Sequence, residues 1–300
     1  MTPNIAGALL MMASMVSFTI NDTFLKLTDG ALELPQLLAI RGVLASALLI
    51  GLAVALRGLH FRLGARAWVF VLARSLAEVG AAYYFLTALF NMPLANVTAV
   101  LQMLPLTVTL GAFLFLGDPV GWRRALAIAV GFVGMLLILR PGPEGFSIWS
   151  LYAVIAVLCV TARDLITRRM PKHVPSLTVA AANTVVVTLF FGAWSIAEPW
   201  QPVSTDLGWL IVGSAFFVIG GYFFSVQAMR TGEISFIAPF RYTSLIAALI
   251  LGLAVFGHWP DPLTLLGAAI IVGAGVFTFW RERARTAAAS APHREAAVGK

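Results

Sequence analysis

Charge is what this sequence has least of. Only 11% of its 300 residues are Asp, Glu, Lys or Arg, against about 25% in an ordinary soluble domain. So little charge cannot clothe a water-facing surface on all sides, which excludes a soluble globule. There is one cysteine, Cys159. It can form no disulfide within the chain, and in its apolar run it reads as a small packing residue. The four histidines, His60, His173, His258 and His293, fall in loops or in the tail. Neither a His-Glu-x-x-His metal motif nor a Gly-x-Ser-x-Gly elbow occurs, so no catalytic cluster is visible and no cofactor or metal is expected. Basic residues are not interleaved with aromatics, which removes nucleic acid as a partner. The N-terminus lacks the basic region and cleavage site of a secretory signal, so Ile5 onward is expected to be a retained first span.

What the chain does have is apolar length. Sixty per cent of its residues are hydrophobic and mean hydropathy is +0.92. A membrane-crossing helix needs roughly 20 mostly apolar residues, and ten such runs are predicted: 5–27, 35–56, 67–89, 93–116, 122–139, 148–168, 175–197, 207–229, 234–256 and 262–280. Pro35, Pro93, Pro119, Pro141, Pro143, Pro171, Pro175, Pro199, Pro260 and Pro262 fall near the proposed ends, where a missing amide costs little. Helices are the choice because lipid cannot satisfy free backbone amides.

The basic residues between spans are one-sided. With the N-terminus inside, Arg57, Arg62, Arg66, Arg123, Arg124, Arg168, Arg169, Lys172, Arg230, Arg281, Arg283, Arg285, Arg294 and Lys300 share one face, against Lys26 and Arg140 on the other. By the positive-inside rule both termini are cytoplasmic. The tail "RERARTAAASAPHREAAVGK" reads as a helix end fading into disorder, with contact to the headgroups of membrane lipids as its functional reading.

The chain also repeats itself. At an offset of 140, "YYFLTALFNMPLANVTA" (83–99) lies over "FFSVQAMRTGEISFIAP" (223–239), Pro35 over Pro175, Gly80 over Gly220 and Gly117 over Gly257. At 142, "NDTFLK" (21–26) lies over "RDLITR" (163–168), which matches Asp22 with Asp164 and Lys26 with Arg168. Five spans per half is odd, so the halves enter the membrane from opposite sides, as in many secondary transporters. The predicted fold is therefore an all-α membrane protein of ten transmembrane helices in two five-helix inverted repeats. Residues 1–143 form the first repeat, 144–281 the second, and 282–300 a cytoplasmic, disordered tail. Asp22/Lys26 and Asp164/Arg168, each at i and i+4, are expected to bridge as gates at opposite faces.

Four basic residues remain inside the spans: Arg41, Arg74, Arg163 and Arg241. A charge at a helix centre costs about 2.5–3.5 kcal/mol and needs a partner or water. Glu78 lies one turn from Arg74, so a local pair is expected. Arg163 adjoins Asp164, but consecutive helical residues do not face one another, so it should pair elsewhere or reach the interface. Arg241 has no acid at i±3 or i±4. Its partner is an interhelical acid (Glu78 or Asp22), backbone carbonyls, or the carboxylate of a ligand, which a guanidinium grips as a fork. Pro239 loosens the helix beside it. Arg41 is an external gate charge, a pocket donor or an anchor. Asn21, Gln102, Asn183, Tyr83, Tyr222 and Tyr242 are pocket hydrogen-bonding candidates or glue between helices. Phe216, Phe217, Phe223 and Phe224 of the eighth span are lipid-facing packing or a stacking wall. Gly131, Gly134, Gly267, Gly273 and Gly275 mark close packing of the fifth and tenth spans, or a homodimer contact.

Ten short-looped spans in two five-span halves resemble the drug/metabolite transporter superfamily, specifically its EamA-type members, over residues 5 to 281. Within that group "FTINDTFLK", the Arg of "LARSL", "RDLITRR" and "APFRY" are similar to the bacterial S-adenosylmethionine-uptake type. The resemblance implies Asn21, Asp22, Arg74, Asp164, Arg241 and Tyr242 as family-type residues, and Glu78 departs from a usually apolar position. It further implies a secondary transporter of the bacterial cytoplasmic (inner) membrane, working by alternating access on a small organic solute. S-adenosylmethionine-like solutes come first, and riboflavin and amino acids are handled by related members. Protons are a candidate coupling ion through Glu78 or Asp22, since buried carboxylates protonate more readily.

Overall fold

Each apolar run closes its own backbone hydrogen bonds, and among the described residues every regular element is helical. The structure, a computed structural model, describes residues 2–55, 63–117, 121–140, 147–171, 174–231 and 234–290. His60, His173 and His293 lie outside these, as do Pro119, Pro141, Pro143 and Glu144. So do the basic residues Arg57, Arg62, Lys172, Arg294 and Lys300.

The first repeat contains α1 (Pro3–Lys26), α2 (Leu34–Ala55), α3 (Ala65–Asn91), α4 (Leu94–Leu101), α5 (Leu104–Gly111) and α6 (Trp122–Leu139). The second contains α7 (Ile148–Arg169), α8 (Ser176–Ser195), α9 (Thr205–Thr231), α10 (Ile234–Ile237), α11 (Thr243–Phe256) and α12 (Pro262–Ser290). Nine helices among the described residues are long and apolar enough to cross a membrane, and Ala125–Leu139 is a shorter apolar one. The spans read from sequence survive to within a few residues, with three differences. The fourth span is broken at Gln102 and Met103 between α4 and α5 and ends in a π-turn, Ala112–Leu116. The ninth is broken by a 3-10 turn, Ala238–Tyr242, between α10 and α11. Pro105 and Pro239 sit at these two breaks, where each lacks the amide a continuous helix would use. Last, α12 runs on to Ser290, beyond the predicted start of the disordered tail, in a stretch rich in the strong helix former alanine.

Packing obeys the repeat. Helix α1 lies against α9 and α3 against α7, two contacts that an exchange of the halves turns into one another. Helices α2 and α8, α6 and α12, and α4 and α11 pair directly with their counterparts. The largest helix contacts thus run between the repeats, which interlock. Matched positions share conformations too: Gly117 and Gly257 both end their spans with positive φ, 75° and 66°, a backbone that glycine adopts without penalty. Two hydrogen bonds join residues 142 apart, Gln102 to Ser244 (2.8 Å) and Ser46 with Thr188 (3.1 Å). Both bonds cross from one repeat to the other.

Gly134 and Gly267 of the fifth and tenth spans serve a contact within the chain, whereas a Cβ at Gly273 would meet nothing within 4 Å. A Cβ at Gly267 would stand 2.5 Å from the Gly134 carbonyl, and one at Gly134 2.8 Å from the Gly267 carbonyl. Both obstacles are backbone, so α6 and α12 approach as only glycine permits. The far ends of the same helices are joined by an Arg140–Asp261 ion pair. Asp261 also caps α12, accepting from Leu263 N at 3.0 Å, Thr264 N at 3.1 Å and Thr264 Oγ1 at 2.8 Å. Cys159 packs beside Gly80, as expected of a small filler. Exposed Trp122 and Trp280 ring the end of the bundle that bears the chain termini; Trp200, Trp209 and Trp259 ring the other. Such belts mark the two membrane–water interfaces.

Two stability predictions follow from these contacts. Gly267→Val overpacks the α6–α12 crossing and lowers thermal stability in detergent by the equivalent of about 1–3 kcal/mol. Asp261→Ala removes a helix cap worth about 1 kcal/mol. Partial burial pushes Asp261 up, but the Thr264 hydrogen bonds, Arg140 and Leu263 N outweigh it and hold the carboxyl below its ordinary range. A lowered folded value contributes stability that is complete above the unfolded carboxylate value and is lost as pH falls through the folded one. The melting-temperature gap between wild type and Asp261→Ala therefore narrows at acid pH.

Candidate functional site

Hydrocarbon offers a charged side chain no partner, so intramembrane charge must turn inward. Here it turns to the seam between the repeats. Arg163 on α7 donates from Nη1 to Glu78 Oε2 on α3 at 2.9 Å, and from Nε and Nη2 to Asp164 Oδ1 at 3.0 and 2.9 Å. The Arg163 and Glu78 side chains keep 20% and 16% of their surface accessible, so this charged recess between the repeats is not sealed in a core. On the first-repeat side Arg41 Nη2 donates to Asn21 Oδ1 at 3.0 Å, and Asn21 Nδ2 donates to Asp22 Oδ1 at 2.9 Å. Beyond these contacts, Asp22 lies within electrostatic range of Arg41, Arg41 of Glu78 and Tyr222, and Arg241 of Arg163 and Asp164. Phe18 stands edge-on to Tyr222 with ring centroids 5.2 Å apart.

Several local pairings expected from sequence are replaced by other partners. Lys26 does not bridge Asp22. Its Nζ donates to the carbonyls of Leu89 (2.6 Å) and Met92 (2.8 Å) and lies 5.8 Å from the Phe256 ring centroid. It thereby caps the end of α3, whose last carbonyls lack helical partners. Asp164 takes its ion pair from Arg163, while Arg168 is exposed in the last turn of α7. The neighbour contact fails the rule for consecutive residues because the long arginine side chain folds back while still reaching Glu78. Arg74 does not close on Glu78; its Nε donates to Thr167 Oγ1 at 3.1 Å. Arg241 meets neither Glu78 nor Asp22 directly, and Asp164 and Arg163 are its charged neighbours.

The remaining predicted residues divide. Gln102 is buried and donates to Ser244 Oγ, which donates to the Arg241 carbonyl at 3.0 Å. Tyr222 joins the charged recess. Tyr83 instead enters an aromatic group with Tyr84, Tyr152 and Trp194. Tyr242 and Asn183 are buried, and the Tyr242 hydroxyl and Asn183 Oδ1 have no hydrogen-bond partner among the described residues. On the eighth span Phe216 and Phe223 face outward, and Phe217 stacks on Phe24. Sequence reasoning missed Phe18, Thr167 and Ser244, and it missed the break at Pro105. That break had a signal, a proline inside an apolar run that matches the run holding Pro239. A groove of ≈ 400 Å³ between α6 and α12, walled by Trp122, Leu126, Val130 and Phe277 among others, shares no residue with the charged recess.

A polytopic bundle of two interlocked repeats, with charges gathered where their broken helices meet, has the build of a membrane transporter. The EamA-like transporter family model matches residues 5–140 and again 147–280, and the chain belongs to that family. It is similar to the S-adenosylmethionine uptake transporter of Rickettsia conorii, 29% identical over 58% of this chain and 59% of that one. It is likewise similar to the riboflavin transporter of Vibrio cholerae, at 26% identity over 64% of each. The matches thus span about three-fifths of those relatives' length. The pseudopaline exporter CntI of Pseudomonas aeruginosa is 24% identical over 87% of this chain and 92% of its own. A solved crystal structure shares the fold, with a TM-score of 0.67 at 18% identity over 93% of this chain and 98% of that one.

The Arg163–Glu78 bridge is open to a direct test. Arg163→Met strands Glu78 and lowers stability by about 3 kcal/mol or more, whereas Arg163→Met with Glu78→Leu recovers part of that loss. Thermal unfolding of the three proteins in one detergent decides it.

Proposed function

We propose that this chain is a secondary transporter that moves a small organic metabolite across the bacterial cytoplasmic membrane by alternating access, with both termini on the cytoplasmic side. One observation carries the reading: charged and polar side chains of both repeats converge beside two broken helices, one from each repeat. A broken helix frees backbone and side-chain polarity at membrane depth, which lipid tolerates only where it lines a cavity. A carrier accounts for such a site better than an enzyme or a channel does, since the recess is built from two non-identical halves with scattered charges. Asn21, Asp22, Arg41, Arg74, Glu78, Arg163, Asp164, Tyr222 and Arg241 form the solute-facing surface. Gln102 supports it from behind, and Lys26 has a structural post. An S-adenosylmethionine-like solute is the first choice, because proteins of that name are among the relatives and the recess offers guanidinium, carboxylate and aromatic groups together. Riboflavin and amino acids are the alternatives within the family.

The test is counterflow in liposomes holding the purified protein, with labelled S-adenosylmethionine, riboflavin and aromatic and aliphatic amino acids. Saturable exchange of one solute is expected; ion-like, non-saturating conductance would overturn the carrier reading. Run across pH, Asp22→Asn and Glu78→Gln locate any proton coupling. A coupled carboxylate, once replaced, flattens the pH profile, and an unchanged profile removes that residue from coupling.

A further inference from the structure

The recess is not balanced in its hydrogen bonding. Four guanidiniums, Arg41, Arg74, Arg163 and Arg241, face three carboxylates, Asp22, Glu78 and Asp164. Arg163 takes direct contact with two of those acids. Arg41 and Arg74 find neutral oxygens on Asn21 and Thr167 and each keep a donor, Nε and Nη1, with no partner among the described residues. Arg241 alone of the four has no side-chain hydrogen bond or ion pair among the described residues. Its side chain is nonetheless half-buried, within the apolar span Ala238–Phe256. A permanently charged group is held there at considerable cost unless something completes it.

The backbone beneath Arg241 is by contrast well supported. The Gln102–Ser244 pair fixes its carbonyl, the 3-10 turn Ala238–Tyr242 carries it, and Tyr242 behind it is buried. A side chain whose base is fixed and whose tip lacks a partner is pre-organised for a ligand. The acids number one fewer than the guanidiniums, and Arg163 engages two of them, which leaves Arg241 without an anionic partner of its own. A planar carboxylate also matches the guanidinium fork.

From this geometry we infer that the transported solute carries a free carboxylate, clamped by Arg241. The inference rests on the reading of the chain as a solute carrier. It narrows that reading to solutes with an amino-acid-like or other carboxylate end, and it excludes a carboxylate-free solute such as riboflavin. Asp164, facing Arg241 with one oxygen not engaged by Arg163, offers the complementary seat for an ammonium group on the same solute.

The test uses matched pairs that differ in the carboxylate alone: S-adenosylmethionine against its decarboxylated form, and L-tryptophan against tryptamine, with riboflavin as control. Binding is read as thermal shift of the full chain in detergent, and transport as counterflow in liposomes. The expected result is that the carboxylate member of a pair binds and its partner binds about 30-fold or more weakly, the scale of losing one buried charged contact. Arg241→Ala then abolishes the difference within the pair, and Arg241→Lys, which keeps the charge but not the fork, restores it in part. Equal binding of both members, transport of riboflavin, or full discrimination in Arg241→Ala overturns the clamp. Should Arg241→Ala not fold, Arg241→Lys and the wild-type pairs decide. Binding without flux would remove the carrier and leave the clamp standing, whereas flux of tryptamine would do the reverse.

Discussion

A charge inside a bilayer has nowhere to go but inward, and that constraint shapes the whole bundle. Arginines and acids distributed over α1, α2, α3, α7 and the 3-10 turn of the ninth span all point to one recess. For these groups to share it, the helices that carry them must be neighbours although they lie far apart in the chain. Glu78 and Arg163 are 85 residues apart and 2.9 Å away from each other. The contact between α3 and α7 that unites them, and its counterpart between α1 and α9, tie one repeat to the other more broadly than either repeat is tied within itself.

The fold was largely legible because apolar length and proline punctuation are local signals that lipid enforces. The inverted repeat was legible for the same reason: an odd span count follows from counting runs. Side-chain partners were not. Sequence offers only neighbours along a helix, and it therefore matched Asp22 with Lys26 and Arg74 with Glu78. Those matches fail because lysine and arginine are long enough to cross to another helix. There Lys26 finds open carbonyls at the end of α3, and Arg74 finds Thr167. The uncertainty over Arg241 resolved against both acids proposed for it, for a related reason. Arg163 reached Glu78 first, and Asp22 stands with Asn21 beside Arg41.

The symmetry is one of frame more than of chemistry. Asn21-Asp22 and Arg163-Asp164 occupy matched positions, and in each the first residue hydrogen-bonds the second, at 2.9 and 3.0 Å. Yet Asn21 then accepts from a cation, Arg41, while Arg163 donates to an anion, Glu78. The helix breaks diverge likewise, a short turn at Gln102 and Met103 against a full 3-10 segment at Ala238–Tyr242. Duplication supplied a shared scaffold, and the two copies then took opposite electrical roles around one recess.

The bonds between Gln102 and Ser244 and between Ser46 and Thr188 cross from one repeat to the other. At the offset of 140 that matches Pro35 with Pro175 and Gly117 with Gly257, each runs to a position two residues beyond its own image. The mirrored pairs are Tyr242 with Leu104 and Val186 with Leu48, and neither can form the same bond because leucine and valine carry no polar side-chain atom. The two bonds therefore belong to one arrangement of the halves and have no counterpart in its exchange.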